Sequence, residues 1–328
     1  MKEELGKRWF LAGSYTNEQE RMGLYLLSME EGFLKLESSF WGGENPSFFC
    51  LDRQRQKIYV ACESEKESRI FVYDRNDREP RTSLEGSGTG LCHLTLDEKT
   101  NKLYGSCYGS GDFFRIDLET GACDAVYRGG KNGHAHGMAI SPSGRCLLGA
   151  DLGENRVILF SRDLQELSAL YFEEDLGPRQ IVFPPGRVRR SGQVYVIHEK
   201  GCMISRLAFE EGQGRLEEQR RLALQRRSES SVQFPGTAAW EKDGVHLLVP
   251  IRGTDRIERI QTDALSSAGS FSSGGEWPRM VSVGSKGEIL TANQISGKLC
   301  CFTIDCGEYR LRSEIGIPGV SCVEEISW

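Results

Sequence analysis

The stretch HAHGMAISPSGRCLLGADLG, residues 134–153, contains the pattern that decides the fold. A polar tip leads into a short apolar strand, the Ser-Pro-Ser-Gly turn at residues 141–144 follows, and a second apolar strand ends in another polar tip. Proline presets φ and glycine accepts a positive φ, so this turn favours reversal of the chain into a β-hairpin. We therefore expect the tips at His136 and Asp151 to lie at the same end of the hairpin.

The same pattern recurs along the chain. Each unit begins with a polar or Gly/Pro-containing tip, and the starts lie at Asn45, Gly90, His134, Gly177, Phe234, Trp277 and Gly319. Successive starts are 42–45 residues apart, except for the interval from Gly177 to Phe234, which includes the Arg-, Glu- and Ser-rich residues 215–231. Repeats of this length are typical of four-stranded propeller blades. We interpret the long interval as an extended outer strand pair or a surface loop.

Two strand-like runs follow the first strand of each unit, and most are rich in β-branched and aromatic residues, as expected for half-buried strands. We predict second strands at residues 56–61, 102–106, 146–150, 194–197, 245–249 and 288–292. We predict third strands at residues 69–73, 113–116, 156–160, 203–207, 256–260 and 298–302. Glycine outnumbers proline 38 to 10, which favours an all-β chain with many turns.

The last unit is split between the two ends of the chain. Residues 320–326 have the pattern of a first strand without a successor, whereas residues 9–16 and 22–27 have that of a second and a third strand without a predecessor. Joining them closes a radial array and hides its open strand edges. The sequence therefore predicts an all-β, seven-bladed β-propeller with four-stranded antiparallel blades, forming one domain over residues 1–328.

Composition narrows the partners that we expect. The net charge of −6 does not suit a nucleic-acid-binding protein, and no apolar run approaches the ~18 residues that cross a bilayer. The 11 cysteines are odd in number and include no Cys-x-x-Cys pair, so we expect free thiols in a reducing compartment and no structural zinc. We predict a cytoplasmic protein without nucleic-acid or membrane contacts, and a monomer because a closed ring leaves no long open edge.

Polar residues collect at one predicted face of the ring. In a propeller the start of each first strand and the end of each second strand lie at the same mouth of the axial channel. The first-strand tips supply His93, His134, His136, Arg179 and Arg279. The second-strand ends supply Glu63, Cys107, Tyr108, Asp151, Glu199, Arg252, Asn293 and Gln294, and the closing blade supplies Tyr15. The expected site is therefore a ring of His, Arg and carboxylate side chains around a channel mouth.

The order of the tip motifs resembles that of a known family. The motifs are Gly13-Ser14-Tyr15-Thr16, Asn45-Pro46-Ser47, His136 followed by Ser141-Pro142, Asp151-Leu152-Gly153, Gly177-Pro178-Arg179, Glu199, Arg252-Gly253 and Pro278-Arg279. From residue 9 to residue 328 the chain resembles the lactonase-type seven-bladed propellers, which include bacterial 6-phosphogluconolactonases and fungal carboxymuconate cycloisomerases. The resemblance implies lactone chemistry on a small anionic substrate without a metal or organic cofactor. It implies that the catalytic residues are His136, Arg179, Glu199 and Arg252.

Three positions depart from the pattern of that family. Gln180 stands where a histidine often follows Gly-Pro-Arg, Ile251 stands where an asparagine often precedes Arg-Gly, and Cys107 stands where an asparagine often precedes the tyrosine of the second full blade. The four residues implied as catalytic are present. We therefore expect activity to be retained and substrate identity to depend on these altered neighbours.

Lactone hydrolysis requires an activated water, a donor for the developing oxyanion and a hold on the anionic group of the substrate. His136 or Glu199 can act as the general base, and our hypothesis takes His136 as the acid/base with Glu199 as its partner or as the water-activating base. The forked guanidiniums of Arg179 and Arg252 suit the oxyanion and a carboxylate or phosphate, with Arg279 as a third candidate. The predicted substrate-binding residues are Tyr15, His134, Asp151, Arg279 and Asn293.

Alternative interpretations stay open at the sequence level. The leading substrate is 6-phospho-D-glucono-1,5-lactone, whereas a carboxymuconate-type cycloisomerase or a lactonase for another acid would use the same ring of residues. A non-catalytic propeller that binds protein partners is a third possibility. At single positions, His134 and His136 can form a metal pair without a marked third ligand, Glu199 and Arg252 can form an inter-blade ion pair, and Asp151 can hold an Asx turn.

Overall fold

A computed structural model describes residues 7–186, 192–224 and 232–326. The strands lie in seven sheets, six of four strands and one with a fifth short strand. Consecutive strands of each sheet are antiparallel neighbours, and the C-terminal strand pairs with the N-terminal one to complete the last sheet. The seven-bladed β-propeller with four-stranded antiparallel blades, closed by strands from both ends of the chain, is therefore confirmed.

The chain begins in the closing blade and then builds three complete blades. Blade 7 receives the strands β1 (Arg8–Ser14), β2 (Gly23–Glu30) and β3 (Phe33–Trp41). Blade 1 contains the strands β4 (Phe48–Asp52), β5 (Lys57–Glu63), β6 (Ser68–Asp74) and β7 (Thr82–Glu85). Blade 2 contains the strands β8 (Leu91–Asp97), β9 (Lys102–Cys107), β10 (Phe113–Asp117) and β11 (Cys123–Tyr127). Blade 3 contains the strands β12 (Ala135–Ile140), β13 (Cys146–Asp151), β14 (Arg156–Ser161) and β15 (Glu166–Tyr171).

Three more blades follow, and one last strand completes the ring. Blade 4 contains the strands β16 (Pro178–Val182), β17 (Gln193–His198), β18 (Met203–Glu210) and β19 (Arg215–Ala223). Blade 5 contains the strands β20 (Phe234–Pro235), β21 (Ala239–Trp240), β22 (His246–Arg252), β23 (Arg256–Gln261) and β24 (Ser266–Ser272). Blade 6 contains the strands β25 (Pro278–Val283), β26 (Ile289–Asn293), β27 (Lys298–Asp305) and β28 (Glu308–Gly316). Strand β29 (Val320–Glu325) is the innermost strand of blade 7.

The predicted second and third strands are all present, with bounds that differ by at most three residues. The long interval in blade 4 is in part a longer outer strand pair, formed by β18 and β19 around a 3₁₀ turn at Glu211–Gln213. Residues 225–231 of that interval lie outside the described part of the chain. Among the described residues, no helix has the length and apolar character needed to cross a membrane.

Hydrophobic clusters between adjacent blades hold the ring together. At the closure, Phe10, Leu27 and Val323 of blade 7 pack with Leu290 and Leu299 of blade 6, and all five are fully buried. Burial of each such side chain contributes about 1.5–3 kcal/mol relative to exposure. Closure of the ring therefore rests on side-chain packing as well as on the β1–β29 hydrogen bonds.

The hairpin of blade 3 has the predicted geometry. The N–H of Gly144 donates to the carbonyl oxygen of Ser141 at 2.8 Å, and Gly144 has a φ of 76°. Away from the turn, β12 pairs regularly with β13 from Ile140 to Met138. The register then shifts between Met138 and Ala135, and Ala135 lies opposite Asp151. The irregularity falls at His136 and Gly137, at the same end as Asp151, as the sequence predicts. A Cβ at Gly137 would lie 2.6 Å from the carbonyl oxygen of Arg179, so only glycine permits this approach of neighbouring first strands.

Candidate active site at the channel mouth

The first-strand starts and the second-strand ends converge on one pocket of about 350 Å³. Every blade contributes at least one lining residue, since the strands are arranged radially. The lining residues are Tyr15, Glu63, Cys92, Tyr108, His136, Arg179, Glu199, Arg252, Arg279 and Gln294. The pocket thus brings together all four residues that the family resemblance implies as catalytic, and two of the predicted substrate-binding residues.

One carboxylate links two buried arginines at the centre of this pocket. Oε2 of Glu199 accepts a hydrogen bond of 2.5 Å from Arg179 and lies 2.9 Å from a guanidinium nitrogen of Arg252. Arg179 projects from β16, Glu199 directly follows β17, and Arg252 ends β22. Arg179 and Arg252 are each only 4% exposed, so a charge-assisted network in a low-dielectric setting results.

The backbone and two aromatic rings fix Arg252. Its side chain donates to the carbonyl oxygen of Phe234 at 3.1 Å and to that of Pro235 at 2.9 Å. Its guanidinium carbon lies 5.5 Å from the ring centre of Phe234 and 5.8 Å from that of Trp277. Cation–π contact and hydrogen bonds therefore orient this guanidinium before any ligand arrives.

His136 is a neutral hydrogen-bond acceptor toward Arg179. A guanidinium nitrogen of Arg179 lies 2.6 Å from Nε2 of His136. Because a guanidinium can only donate, Nε2 must accept, and the proton of the neutral ring lies on Nδ1. Burial lowers the pKa of His136 well below its usual value, and the charge of Arg179 lowers it further. Arg179 thus lies between His136 and Glu199, so the two candidate bases are linked through it.

The contacts of this cluster also shift the pKa values of Glu199 and Arg252. Burial acts to raise the pKa of Glu199, but the charges and hydrogen bonds of Arg179 and Arg252 outweigh burial and hold that pKa at about 2. Burial lowers the pKa of Arg252 to about 10; the charge of Arg179 adds to this effect and Glu199 opposes it. At neutral pH the cluster therefore consists of an ionised carboxylate, two guanidiniums and a neutral imidazole.

A second polar network forms another wall of the pocket. The hydroxyl of Tyr15 donates to Oε2 of Glu63 at 2.7 Å, and the same oxygen accepts from the hydroxyl of Ser47 at 2.5 Å. The guanidinium of Arg279 donates to the hydroxyl oxygen of Tyr15 at 2.5 Å. Tyr15 and Arg279, both predicted to bind substrate, are therefore in contact although 264 residues separate them along the chain.

The other predicted binding residues do not line the pocket. His134 stacks on Tyr108 with ring centres 4.5 Å apart, and its Nδ1 lies 2.7 Å from the carbonyl oxygen of Tyr108. Asp151 is fully buried and accepts from the backbone N–H groups of His134 and Glu154 at 3.0 and 3.1 Å. Asp151 therefore has the turn-holding contacts of an Asx motif, and His134 contacts the pocket residue Tyr108.

Asn293 is fully buried within blade 6 rather than exposed to the pocket. Its amide nitrogen donates to the carbonyl oxygens of Ser273 and Lys298, each at 3.1 Å. Gln294, the next residue, lines the pocket instead. Successive residues of a strand point to opposite sides of the sheet, so a shift of one residue exchanges Asn293, which was predicted to bind substrate, for Gln294, which lines the pocket.

Glu63, Tyr108 and Gln294 also line the pocket but were not among the residues selected for catalysis or binding. All three lie at or just after the end of a second strand, and this position in the repeat is the sequence signal that predicts their place at the mouth. Tyr108 contacts two histidines, since its ring stacks on His134 and meets the ring of His136 edge-on at 6.1 Å. This aromatic ring therefore defines one side of the pocket next to the ionic cluster.

The three departures from the family pattern have mainly structural contacts. Gln180 donates to the carbonyl oxygen of Ala238 at 3.1 Å and accepts from the N–H of Ala238 at 2.8 Å, which joins blades 4 and 5. Ile251 is 1% exposed and packs in an apolar cluster. Cys107 is fully buried, and its Sγ lies 3.0 Å from the hydroxyl of Ser68. None of the three lines the pocket at the mouth.

Two groups of side chains have the residue types of metal ligands: the pair His134 and His136, and a cluster on blade 5. His134 and His136 make different contacts, as described above, rather than a shared pair. At the far end of β22 from Arg252, ligand atoms of Glu241, Asp243 and His246 lie within 4.8 Å of one another. Arg259 donates to Glu241 at 2.9 Å and lies 2.8 Å from Nδ1 of His246, so a guanidinium already supplies positive charge there.

The fold and the pocket define a class: a seven-bladed propeller with an arginine-rich polar pocket at one mouth of its channel. The family model "Lactonase, 7-bladed beta-propeller" matches residues 9–324. The chain therefore belongs to the lactonase family of seven-bladed β-propellers.

Similar proteins extend over nearly the whole chain. An uncharacterized protein of Lactococcus lactis subsp. cremoris is 24% identical over 345 residues, which covers 97% of this chain and 99% of the relative. A provisionally assigned 6-phosphogluconolactonase of Bacteroides fragilis has a TM-score of 0.86 and 18% identity, and 100% of each chain is covered. The periplasmic gluconolactonase PpgL of Pseudomonas aeruginosa has a TM-score of 0.85 and 18% identity, with 98% and 99% covered. At this identity the two structures show a common fold.

Proposed function

We propose that this protein hydrolyses a sugar lactone, with 6-phospho-D-glucono-1,5-lactone as the leading substrate. The observation that carries the proposal is the cluster in which two buried arginines share Glu199 beside a neutral His136. Such a cluster combines donors for a developing oxyanion with an ionised acceptor for water. Membership of the lactonase family and the structural likeness to PpgL, which is named a gluconolactonase, support the same chemistry.

Arg179 and Arg252 stabilise the oxyanion that forms when water attacks the lactone carbonyl. Both guanidiniums are held in place before substrate binds, by Glu199 and, for Arg252, by backbone carbonyls. Preorganised donors in a site with little water are worth about 10²–10³ in rate each. The carbonyl oxygen of the lactone therefore binds between these two side chains, and both protein–oxygen contacts strengthen as negative charge develops.

Glu199 orients and deprotonates the attacking water. Its Oε2 is engaged by both arginines, whereas its Oε1 has no protein partner among the residues that the structure describes. A carboxylate with a pKa of about 2 is a weak base but is ionised throughout the neutral range. Once protonated, it is a strong acid, so it delivers the proton from water to the ring oxygen as the C–O bond breaks.

His136 positions Arg179 through Nε2 and carries the proton of its neutral ring on Nδ1. Because Nε2 accepts from Arg179, this nitrogen has no lone pair available for water in the tautomer that this contact requires. The sequence-based hypothesis takes His136 as the acid/base with Glu199 as its partner or as the water-activating base, and the proposal keeps the second of these roles for Glu199. The proposed roles are therefore Glu199 as the base and His136 as a neutral support for the oxyanion-binding guanidinium.

The pKa shifts predict a flat pH profile. Glu199 ionises near pH 2, His136 stays neutral until well below pH 6.5, and Arg252 keeps its charge up to about pH 10. Glu199, His136 and Arg252 therefore keep the same charge between pH 7 and 9, because the pKa of His136 lies well below its usual value of 6.5. We expect the enzyme-catalysed kcat/KM for glucono-1,5-lactone, which has no ionisable group in this range, to show no inflection near pH 6.5 after subtraction of spontaneous hydrolysis. An inflection between pH 6 and 7 would assign the titration, and the base, to His136.

A panel of lactones tests the proposed reaction. Wild-type protein and Arg252→Ala are compared on freshly generated 6-phosphogluconolactone, glucono-1,5-lactone and a muconolactone, with proton release as the readout. We expect hydrolysis of the phosphorylated lactone to be fastest, and to fall about 10²–10³-fold in the variant because one oxyanion donor is lost.

Each other outcome of the panel has a clear meaning. Turnover of the muconolactone alone would indicate the cycloisomerase alternative, in which an internal carboxylate replaces water, or a lactonase for another acid, and identification of the product distinguishes the two. Absence of turnover of all three lactones by folded wild-type protein would contradict the proposal and favour a propeller that binds partners without catalysis. Folding is checked by circular dichroism and by the melting temperature of each protein.

A further inference from the structure

Arg279 differs from the other two arginines of the pocket. Its polar contact is with the hydroxyl oxygen of Tyr15 at 2.5 Å, and its guanidinium carbon lies 4.9 Å from the centre of the Tyr15 ring. Among residues 7–186, 192–224 and 232–326, no carboxylate oxygen lies within 4.0 Å of it. Arg179 and Arg252, in contrast, share Glu199. Arg279 is therefore the guanidinium of this pocket without a contacting counter-ion.

The charge of the pocket lining supports an anionic ligand. Three guanidiniums line the pocket together with two carboxylates, those of Glu63 and Glu199. His136 is neutral because burial and Arg179 lower its pKa. Burial also raises the pKa of Tyr15, which keeps its hydroxyl protonated. The lining thus carries one positive charge in excess, and a partly buried charge of this kind is stabilised by a paired anion.

Tyr15 and Glu63 hold Arg279 in one orientation. The Tyr15 hydroxyl donates its hydrogen bond to Glu63, so its oxygen is available as an acceptor for Arg279. Ser47 donates to the same oxygen of Glu63 and fixes that carboxylate. Among the described residues, the Arg279 guanidinium makes no hydrogen bond other than that to Tyr15, and its side chain lines both the mouth pocket and a second cavity that shares His136 and Arg179 with it. Its other N–H groups are therefore available to a ligand.

We infer that Arg279 binds the oxyanion of the substrate, a phosphate or a carboxylate, at the end of the molecule away from the lactone carbonyl. This inference rests on the proposed lactone hydrolysis and divides the site into two parts. Arg179, Arg252 and Glu199 act on the reacting carbonyl, and Arg279 recognises the remote charge. Tyr15 is a positioning residue for Arg279.

A second unpaired group agrees with a hydroxylated ligand. Oε1 of Gln294, on the same side of the pocket as Arg279, is buried without a hydrogen-bond partner among the described residues. An unpaired buried acceptor costs about 1–3 kcal/mol, a penalty that a ligand hydroxyl would remove. The pocket side formed by blade 6 therefore offers a donor for an oxyanion and an acceptor for a hydroxyl group.

The test is a ratio of specificities. Wild type, Arg279→Gln, Arg279→Lys and Tyr15→Phe are assayed on 6-phosphogluconolactone, a muconolactone and neutral glucono-1,5-lactone. In Arg279→Gln we expect kcat/KM for a charged lactone, relative to the neutral one, to fall about 10- to 100-fold, mainly through KM, because a charge-assisted hydrogen bond is lost. Arg279→Lys restores part of the ratio. Tyr15→Phe keeps the aromatic ring but lowers the ratio by a smaller factor, since only the orientation of Arg279 is lost.

The charged lactones distinguish the source of the oxyanion. A drop confined to 6-phosphogluconolactone assigns a phosphate to Arg279, and a drop confined to the muconolactone assigns a carboxylate. Arg145→Gln, whose side chain is 72% exposed, is the matched control. An equal change for charged and neutral lactones in Arg279→Gln, or no change for any of them, would overturn the inference.

A binding measurement separates this inference from the proposed function. The affinity for 6-phosphogluconate and for gluconate is measured by calorimetry in wild type and Arg279→Gln. If no lactone is hydrolysed, the proposed function fails, but a loss of 6-phosphogluconate binding in the variant, with gluconate binding unchanged, still supports recognition of a remote anion by Arg279. If wild type hydrolyses lactones and both proteins bind these acids equally well, the function stands and the inference is wrong.

Discussion

Replacement of Glu199 by Gln is expected to lower kcat for lactone hydrolysis by about 10²- to 10⁴-fold, the range usually supplied by a general base. The amide keeps the size of the side chain and can still accept from one guanidinium through its oxygen. It cannot take a proton from water, and it leaves Arg179 and Arg252 without the negative charge that they share. The loss should therefore appear in kcat, measured at saturating substrate between pH 7 and 8.

A surface carboxylate provides the control for this variant. Glu85 lies on the outer strand β7 with its side chain 79% exposed, so Glu85→Gln removes the same charge away from the pocket. We expect its kcat to equal that of the wild type. Circular dichroism verifies that Glu199→Gln remains folded. An unchanged kcat in folded Glu199→Gln would show that another group activates the water.

Arg179→Gln is expected to lower kcat about 10²–10³-fold, because one preorganised donor to the oxyanion is lost. The same change acts on His136, since Arg179 is the largest charge that depresses its pKa and also occupies Nε2. With Arg179 removed, Nε2 can accept a proton and the pKa of His136 moves up toward its usual value. The residual activity should therefore decrease as the pH falls through this raised pKa, in contrast to the flat wild-type profile.

The pH dependence distinguishes this mechanism from simple misfolding. A general loss of structure would lower activity at every pH without a new inflection. Arg179→Lys keeps a positive charge but not the forked geometry, so it should retain the depressed pKa of His136 better than Arg179→Gln does. Arg310→Gln, with a side chain 59% exposed, is the control for loss of an arginine. A flat profile in Arg179→Gln would contradict the proposed link between Arg179 and His136.

Local sequence patterns were sufficient to predict the fold. The hairpin at residues 134–153, the repeat of tips and strands, and the split closing blade all depend on turn chemistry and on the alternation of apolar residues. These signals act between residues that are close in sequence, and the closure follows once the repeats are counted. The outer strands were not predicted individually. Strand β3 and strand β28 have alternating or exposed burial patterns, which give a weaker apolar signal.

The candidate site was predictable in part for the same reason. Equivalent positions of successive blades meet at one mouth, so His136, Arg179, Glu199 and Arg252 could be grouped from their places in the repeat. Asp151 and Asn293 could not be separated from Glu199 and Gln294 in this way. Asp151 and Asn293 are the last residues of β13 and β26, whereas Glu199 and Gln294 directly follow β17 and β26, and the structure is needed to define these strand ends.

The contacts that set the chemistry arise between blades. The guanidinium of Arg179 can only donate hydrogen bonds, which the sequence alone tells us. Only the packing of blade 3 against blade 4 brings it to Nε2 of His136. The link from Arg279 to Tyr15 joins residues near opposite ends of the chain, because the ring closes between blades 6 and 7. Turn and strand preferences are local free energies and can be inferred from a short stretch of residues. Hydrogen-bond geometry, burial and pKa depend on the simultaneous placement of several distant segments, so they become available only when the closed ring is known.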